Sequence, residues 1–446
     1  MKTFWVLISL FCAALFSVAA QDGYVIKPGD EDETIRFKFV NNLIIVPVEV
    51  NGKELSFILD TGVSVPILFN ITDKDSLSMG SFEEIELKGL GEGEPIRAIR
   101  SRHNRFKLKN IYNNDQEFYM LLNREINFSP RLGITVHGII GYDLLKNFIV
   151  EINYRKKKLK FNNPEAYRYR KCGACETYRL DLIGNKPFLN ASVALGGNED
   201  LPVYLLLDSG STDAVWLFED DDEGIHVPEL YFEDYMGKGL SGNIYGKRSR
   251  LEKFSIGKFM LKDAKVAFPD SVSTKHITFR GNRDGSLGSE ILKRFDIVID
   301  YPYERITLRK NGNFNDPFKY NMSGIELQHN GVRIVKELEK RAAAGVTVDD
   351  GDDSNSAGVT FTLGDSYSIS LEPALEIAEI REGSPAMQVG LKKGDVILSV
   401  NGRPAHRYNI QQLSEIINEK AGKKIKLLID RNGTELKFAF ELVKVL

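Results

Sequence analysis

Leu55-Ser56-Phe57-Ile58-Leu59-Asp60-Thr61-Gly62 and Val203-Tyr204-Leu205-Leu206-Leu207-Asp208-Ser209-Gly210 decide how this chain folds. Each is an apolar, strand-like run that ends on an acid and a glycine. A carboxylate at the end of a buried strand is costly unless something satisfies it. On a tight turn opened by Gly it can instead face a cleft. One such turn is ordinary; two in matching surroundings point to a pair of carboxylates meeting across a cleft.

The surroundings do match. Gly89-Leu90-Gly91-Glu92-Gly93 follows the first acid and Gly237-Lys238-Gly239-Leu240-Ser241-Gly242 the second, at the same offset (89 − 60 and 237 − 208, both 29). Ile139-Ile140-Gly141 corresponds to Ser286-Leu287-Gly288. Beyond them Leu145, Lys146, Phe148 and Tyr154 fall on Leu292, Lys293, Phe295 and Tyr301 without a gap. A repeat this long is a duplicated domain rather than a solenoid. Both copies close with alternating apolar residues, Phe148–Tyr154 with Lys158–Phe161 and Phe295–Tyr301 with Arg305–Leu308, a pattern that predicts half-buried hairpins.

The order strand, Asp-Thr/Ser-Gly, glycine-rich hairpin, apolar-apolar-Gly, short helix and closing hairpin resembles the retropepsin/pepsin-like aspartic proteases over roughly residues 36–310. The resemblance implies a mainly β fold with two pseudo-symmetric retropepsin-like β-barrel lobes, residues 36–165 and 176–310, facing each other within one monomeric chain. It implies an aspartic endopeptidase in which Asp60 and Asp208 jointly activate water, acting on peptide or protein substrates without metal or other cofactor. Thr61 and Ser209 match the position that bonds across to the opposite lobe. Gly62 and Gly210 let backbone N–H groups approach the carboxylates. Ser211 can donate a hydrogen bond to its Asp where Val63 cannot, so the pair is expected to be less acidic than in pepsins, with an optimum between mildly acidic and near-neutral pH. Gly89, Gly91, Gly93, Gly237, Gly239 and Gly242 are expected at the tips of two mobile flaps. The rival reading is a peptide-holding scaffold without turnover, although a degenerate copy would more often have lost one acid.

Past residue 310 the repeat stops. Glu379–Ala386 runs into Gly390-Leu391-Lys392-Lys393-Gly394-Asp395-Val396-Ile397-Leu398-Ser399-Val400-Asn401-Gly402, which resembles a PDZ domain of the bacterial protease type. The resemblance implies an α+β domain over residues 317–446. An extended peptide tail would add as a strand there, its carboxylate held by a glycine-containing loop at Ser323, Gly324, Ile325 and Leu327. The alternative is a module that only packs on the protease. Asn409–Lys420 has helical spacing, and Arg431-Asn432-Gly433 signals a hairpin turn. Residues 330–371 read as a long insertion, with a helix-like piece from Val332 to Ala344 and a disordered acidic run, Asp349–Ser356.

Residues 1–20 are expected to be a cleaved signal peptide: Lys2, an apolar core from Phe4 to Val18 that includes Cys12, and a small-residue site at Val18-Ala19-Ala20. The protein would then be exported, to a periplasm, cell surface or extracellular space. A masking propeptide could follow, between Gln21 and about Thr34. Cys172 and Cys175 then remain alone. With no second pair for zinc and no redox context, a local disulfide strap is the better reading. A net charge of −3 argues against a nucleic-acid partner. The six histidines show no metal spacing, and His137, near Gly141, reads as structural.

Overall fold

The computed structural model describes residues 23–72, 77–91, 93–123, 126–274, 283–339 and 366–446. The expected signal peptide and the acidic run lie outside these residues. The chain divides into two compact units, Met1–Asn321 with the last three residues, and Met322–Val443.

The first unit is built twice on one plan. In the first lobe Lys53–Leu59, the strand that delivers Asp60, pairs in parallel with Gly138–Ile140, which in turn pairs antiparallel with Ile67–Leu68. In the second lobe Asn198–Asp208 pairs in parallel with Gly285–Gly288, which pairs antiparallel with Val215–Leu217. The apolar-apolar-Gly segments are therefore the strands that clasp the acid-bearing ones. Their glycines are required by close backbone approach. A Cβ on Gly141 would lie 2.0 Å from the carbonyl oxygen of Asp60, and one on Gly288 would lie 2.2 Å from that of Asp213.

The closing hairpins meet in a six-stranded sheet joining the lobes, in the order Cys175–Arg179, Arg305–Lys310, Phe295–Asp300, Ile149–Asn153, Lys158–Asn162, Asp32–Arg36. Each lobe gives three strands. Ile149–Asn153 and Phe295–Asp300 run antiparallel at the centre, with Glu151 opposite Val298. Alternate residues Val150, Ile152, Leu159, Phe161, Ile297, Ile299, Ile306 and Leu308 are buried in one continuous core shared by both lobes. The stretch for which the sequence leaves a masking propeptide open is, where described, paired into the sheets: Val25–Ile26 pairs with Ile111–Leu121, and Asp32–Arg36 is an edge of the joining sheet. Backbone hydrogen bonding integrates these residues into the fold itself. A disulfide joins Cys172 and Cys175 in the linker between the lobes.

The second unit is a sheet ordered Ile325–Glu339, Ser366–Ile380, Val396–Val400, Lys424–Arg431, Thr434–Glu441 around its own apolar core. Helix Ile410–Ile416 carries a capping box between Asn409 and Gln412, and buries Ile410 and Leu413. The Asn432-Gly433 turn has both residues at positive φ, 54° and 83°, as a tight hairpin needs. The expected helix from Val332 is a strand instead, through Glu339. Its residues pair one by one with Ser366–Pro373, so the ends of the insertion extend a hairpin. The β-branched Val332, Ile334 and Val335 gain cross-strand partners there, which outweighs the helix propensity of the Lys and Glu residues that follow.

Candidate functional site

Asp60 and Asp208 end their strands on mirrored turns that lock together. The Thr61 hydroxyl donates to the Leu207 carbonyl (2.5 Å) and accepts from the Ser209 N–H (3.0 Å). The Ser209 hydroxyl donates to the Leu59 carbonyl (2.8 Å) and accepts from the Thr61 N–H (3.0 Å). Both side chains are buried, at 1% exposure. Four reciprocal hydrogen bonds in a dry interior fix the two turns against each other far more firmly than surface contacts could.

The turns aim the carboxyls at one another. The Gly62 N–H donates to Asp60 Oδ1 (2.7 Å) and the Gly210 N–H to Asp208 Oδ1 (3.0 Å). A Cβ on Gly210 would lie 2.2 Å from Asp60 Oδ2, so the second turn has room for the first carboxyl only because it is glycine. A Cβ on Gly62 would lie 3.1 Å from Asp60 Oδ1 and 3.7 Å from Asp208 Oδ1. Oxygens of both carboxyls thus converge beside Gly62. Burial first, and then the charge of Asp208, push Asp60 up to about 7, against the pull of the Gly62 N–H and Lys186. Asp208 is also raised by burial, but it is held back by the Arg283 charge, the N–H groups of Gly210 and Ser211, and Lys186. Two neighbouring carboxyls, half-buried and both pushed up, titrate as a pair rather than one by one.

Ser211 acts on Asp208 through its backbone N–H rather than the expected hydroxyl, which lies 3.0 Å from where a Cβ on Gly288 would stand. The His137 ring accepts the Ser56 N–H (3.1 Å), a structural task.

The glycine-rich hairpins meet each other. The first tip lies between Phe82–Leu87 and Ile96–Leu108; the second is a tight turn between Gly239 and Gly242. The Ser241 hydroxyl accepts the Gly89 N–H (3.0 Å), the Leu90 carbonyl accepts the Ser241 N–H (2.8 Å), and the Ser241 carbonyl accepts the Gly93 N–H (2.6 Å). Added Cβ atoms on Gly91, Gly93 and Gly239 would lie 2.5, 2.3 and 2.1 Å from atoms of the opposite tip. These glycines therefore allow contact between hairpins. Gly237, at a bulge with φ of 144°, instead supplies a backbone bend. Leu90 packs against Trp216, Met236 and Ile244 of the second lobe, and Leu240 against the apolar cluster around Ile58 and Ile139 of the first.

Two cations beside the carboxyls were not singled out from the sequence. Lys186 opens strand Lys186–Leu195 just after a turn whose Gly184 carbonyl accepts the Ser64 hydroxyl (3.2 Å), and its charge is felt by both acids. Arg283 precedes the clasping strand of the second lobe. The signal that could have found it is the repeat itself, because the first copy has Val136 at the corresponding place.

In the second unit, Gly324 has φ of 78°, the Ser323 hydroxyl accepts the Ile325 N–H (3.1 Å), and helix Ile410–Ile416 lies alongside strand Ile325–Glu339 at the end of the sheet. Ile325 and Leu327 turn their side chains into the core, so a peptide beside this strand would meet only their backbone. The N–H groups of Met322 and Ser323 both donate to the Asn418 side-chain oxygen, at 2.7 and 3.2 Å. An arriving carboxylate would have to displace that oxygen.

Residues 46–144 and 191–291 each match the aspartyl protease family, and residues 376–431 match the PDZ domain family. Among solved structures, an aspartic proteinase from Irpex lacteus aligns at 13% identity over 63% of this chain and 98% of its own, with a TM-score of 0.39. The chain is thus a tandem pair of aspartyl-protease segments followed by a PDZ domain.

Proposed function

We propose that this protein is an exported aspartic endopeptidase in which Asp60 and Asp208 work as one dyad. The observation that carries the reading is the pair of mirrored, interlocked turns that bring two carboxyls together beside Gly62 and Gly210. In hydrolysis the ionised carboxyl takes a proton from a water molecule as its oxygen attacks the scissile carbonyl carbon. The protonated carboxyl gives its proton to the carbonyl oxygen. Collapse of the tetrahedral adduct breaks the C–N bond, and the nitrogen leaves with a proton returned from the dyad. The raised position of Asp60, near 7, supports an optimum in mildly acidic to near-neutral solution. The interlocked hairpin tips would part to admit an extended peptide and close again to exclude bulk water. The PDZ unit would recruit substrates by adding a peptide strand beside Ile325–Glu339. Export rests on the apolar run of residues 4–18.

Asp60→Asn and Asp208→Asn, assayed separately on an internally quenched peptide library at pH 5–7, are each expected to lower kcat by about 10³-fold or more. Full activity in either variant would disprove the shared dyad.

A further inference from the structure

Arg283 stands on the cleft face of the second lobe. Along Gly285–Gly288, Leu287 points into the main core and Ser286 the other way. Ser286 is in register with Leu206 on one side and Trp216 on the other, so these side chains share a face. Leu206 Cδ2 on that face comes within 3.5 Å of where a Cβ on Gly62 would stand, at the first carboxyl's turn. Trp216 on the same face packs against Leu90 of the first hairpin tip. The face therefore runs from the paired carboxyls at the floor to the hairpin tips at the roof.

The Arg283 guanidinium is clamped to this face. Its Nε donates to the Gly285 carbonyl (2.9 Å), an Nη donates to Ser286 Oγ, and the group lies over the Phe218 ring, 5.4 Å from its centroid. These neighbours are neutral. Among the described residues no carboxylate makes an ion pair with Arg283, and the preceding stretch, residues 275–282, contains no Asp or Glu. The charge near enough to matter is Asp208 itself. Among the described residues the half-buried guanidinium thus keeps donor capacity that no carboxylate takes up, and its planar fork suits a carboxylate. The first lobe offers Val136 and Ile139 at the corresponding places, both buried among apolar residues.

We infer that Arg283 is a specificity-determining residue that binds an acidic side chain of the substrate within two residues of the scissile bond, on the second-lobe side of the cleft. The inference rests on the protease reading, and it makes the preferred substrate a peptide with Asp or Glu flanking the cut. The clamp holds the guanidinium in place before substrate arrives, so little is lost in ordering it on binding.

The test compares peptides identical except for Glu or Gln at each position flanking the cut. The full-length protein is expected to favour Glu at one position by on the order of tenfold in kcat/KM. Arg283→Gln should bring that ratio to near one, and Arg283→Glu should invert it toward Lys. Cleavage by the parent protein with no preference for an acid at any flanking position overturns the inference and leaves the protease reading standing. An Arg283→Gln variant that slows both peptides equally, with the ratio kept, assigns Arg283 to dyad tuning or folding instead. To separate the two readings further, the Asp60→Asn variant is titrated with fluorescent Glu and Gln peptides. Tighter Glu binding that Arg283→Gln abolishes supports the inference even if no cleavage is ever found; equal binding overturns it.

Discussion

Val136 and Ile139 in the first lobe, and Arg283 and Ser286 in the second, occupy corresponding places just before and on the clasping strands, yet they build opposite surfaces. The first lobe lines its cleft side with a broad apolar cluster that includes Leu43, Ile45, Ile58, Ile67, Phe69 and Ile139. The second has a small apolar patch around Trp216. Beside it are buried charges: Arg248 bonds Asp213 (2.7 Å) and pairs with Asp234 (3.0 Å), while Trp216 Nε1 donates to the other Asp213 oxygen (2.7 Å). What the two copies keep in common is backbone geometry: the clasping strand, the turn and the glycines that permit close approach. What differs is side-chain chemistry one layer out. Duplication therefore constrains the parts that position the carboxyls, and leaves free the side chains one layer out.

The sharpest way to break this contrast is to remove the arginine that each hairpin carries on its return strand. Arg248 is buried, and its loss would take the guanidinium away from two acids beside it, Asp213 and Asp234. Arg248→Met is expected to cost about 3–5 kcal/mol of stability. Arg100 in the first lobe pairs with Glu117 (2.7 Å) and Glu83 (3.3 Å) at the surface, with about a third of its side chain exposed, and Arg100→Met should leave stability almost unchanged. Chemical denaturation of the two variants checks this. Equal losses would mean that the second lobe's buried charges carry no special structural burden.

The opposite test asks whether the shared parts are equivalent. Thr61→Ala and Ser209→Ala each delete one donated and one accepted hydrogen bond in a dry interior, and each orphans the partner atoms. Each is expected to cost about 1–3 kcal/mol, and the two should agree closely. Urea midpoints differing widely between the variants would show that the interlock, although mirrored in geometry, is dominated by one lobe.

The shared layer was legible in the sequence because it is local. A strand ending in Asp-Thr/Ser-Gly, followed at a fixed distance by an apolar-apolar-Gly strand, states its backbone requirements in residue types. Contacts between distant residues were less legible. Gly89 and Gly239 read as flexible tips, but their main task is to let two hairpins more than a hundred residues apart touch without collision. Val332–Glu339 read as helical because Lys336, Glu337 and Glu339 favour that state in isolation. Only the partner strand Ser366–Pro373 makes the extended form the stable one. Arg283 sits in a run of basic and turn-forming residues that, taken alone, describes a solvated loop. Its clamp on Gly285 and Ser286 exists only once the second lobe is folded.

The smallest expected effect probes how the second lobe's charge reaches the carboxyls. Asp208 is raised by burial, and Arg283 opposes that rise by favouring the ionised form; Asp60 has no such contribution from Arg283. Hydrolysis needs one carboxyl ionised, so activity falls on the acidic side as the pair takes up its second proton. Removing a neighbouring cation makes ionisation harder, and the acidic limb must then move to higher pH. Arg283→Gln is therefore expected to shift the acidic limb of kcat/KM upward. This should be measured on a peptide without acidic residues, so that substrate recognition and dyad ionisation are not confused. A neutral Val136→Met change on the first lobe should leave the limb in place. If both variants shift it alike, the two walls act on the dyad through packing and solvent exclusion, and the electrostatic difference between the lobes has no part in setting its acidity.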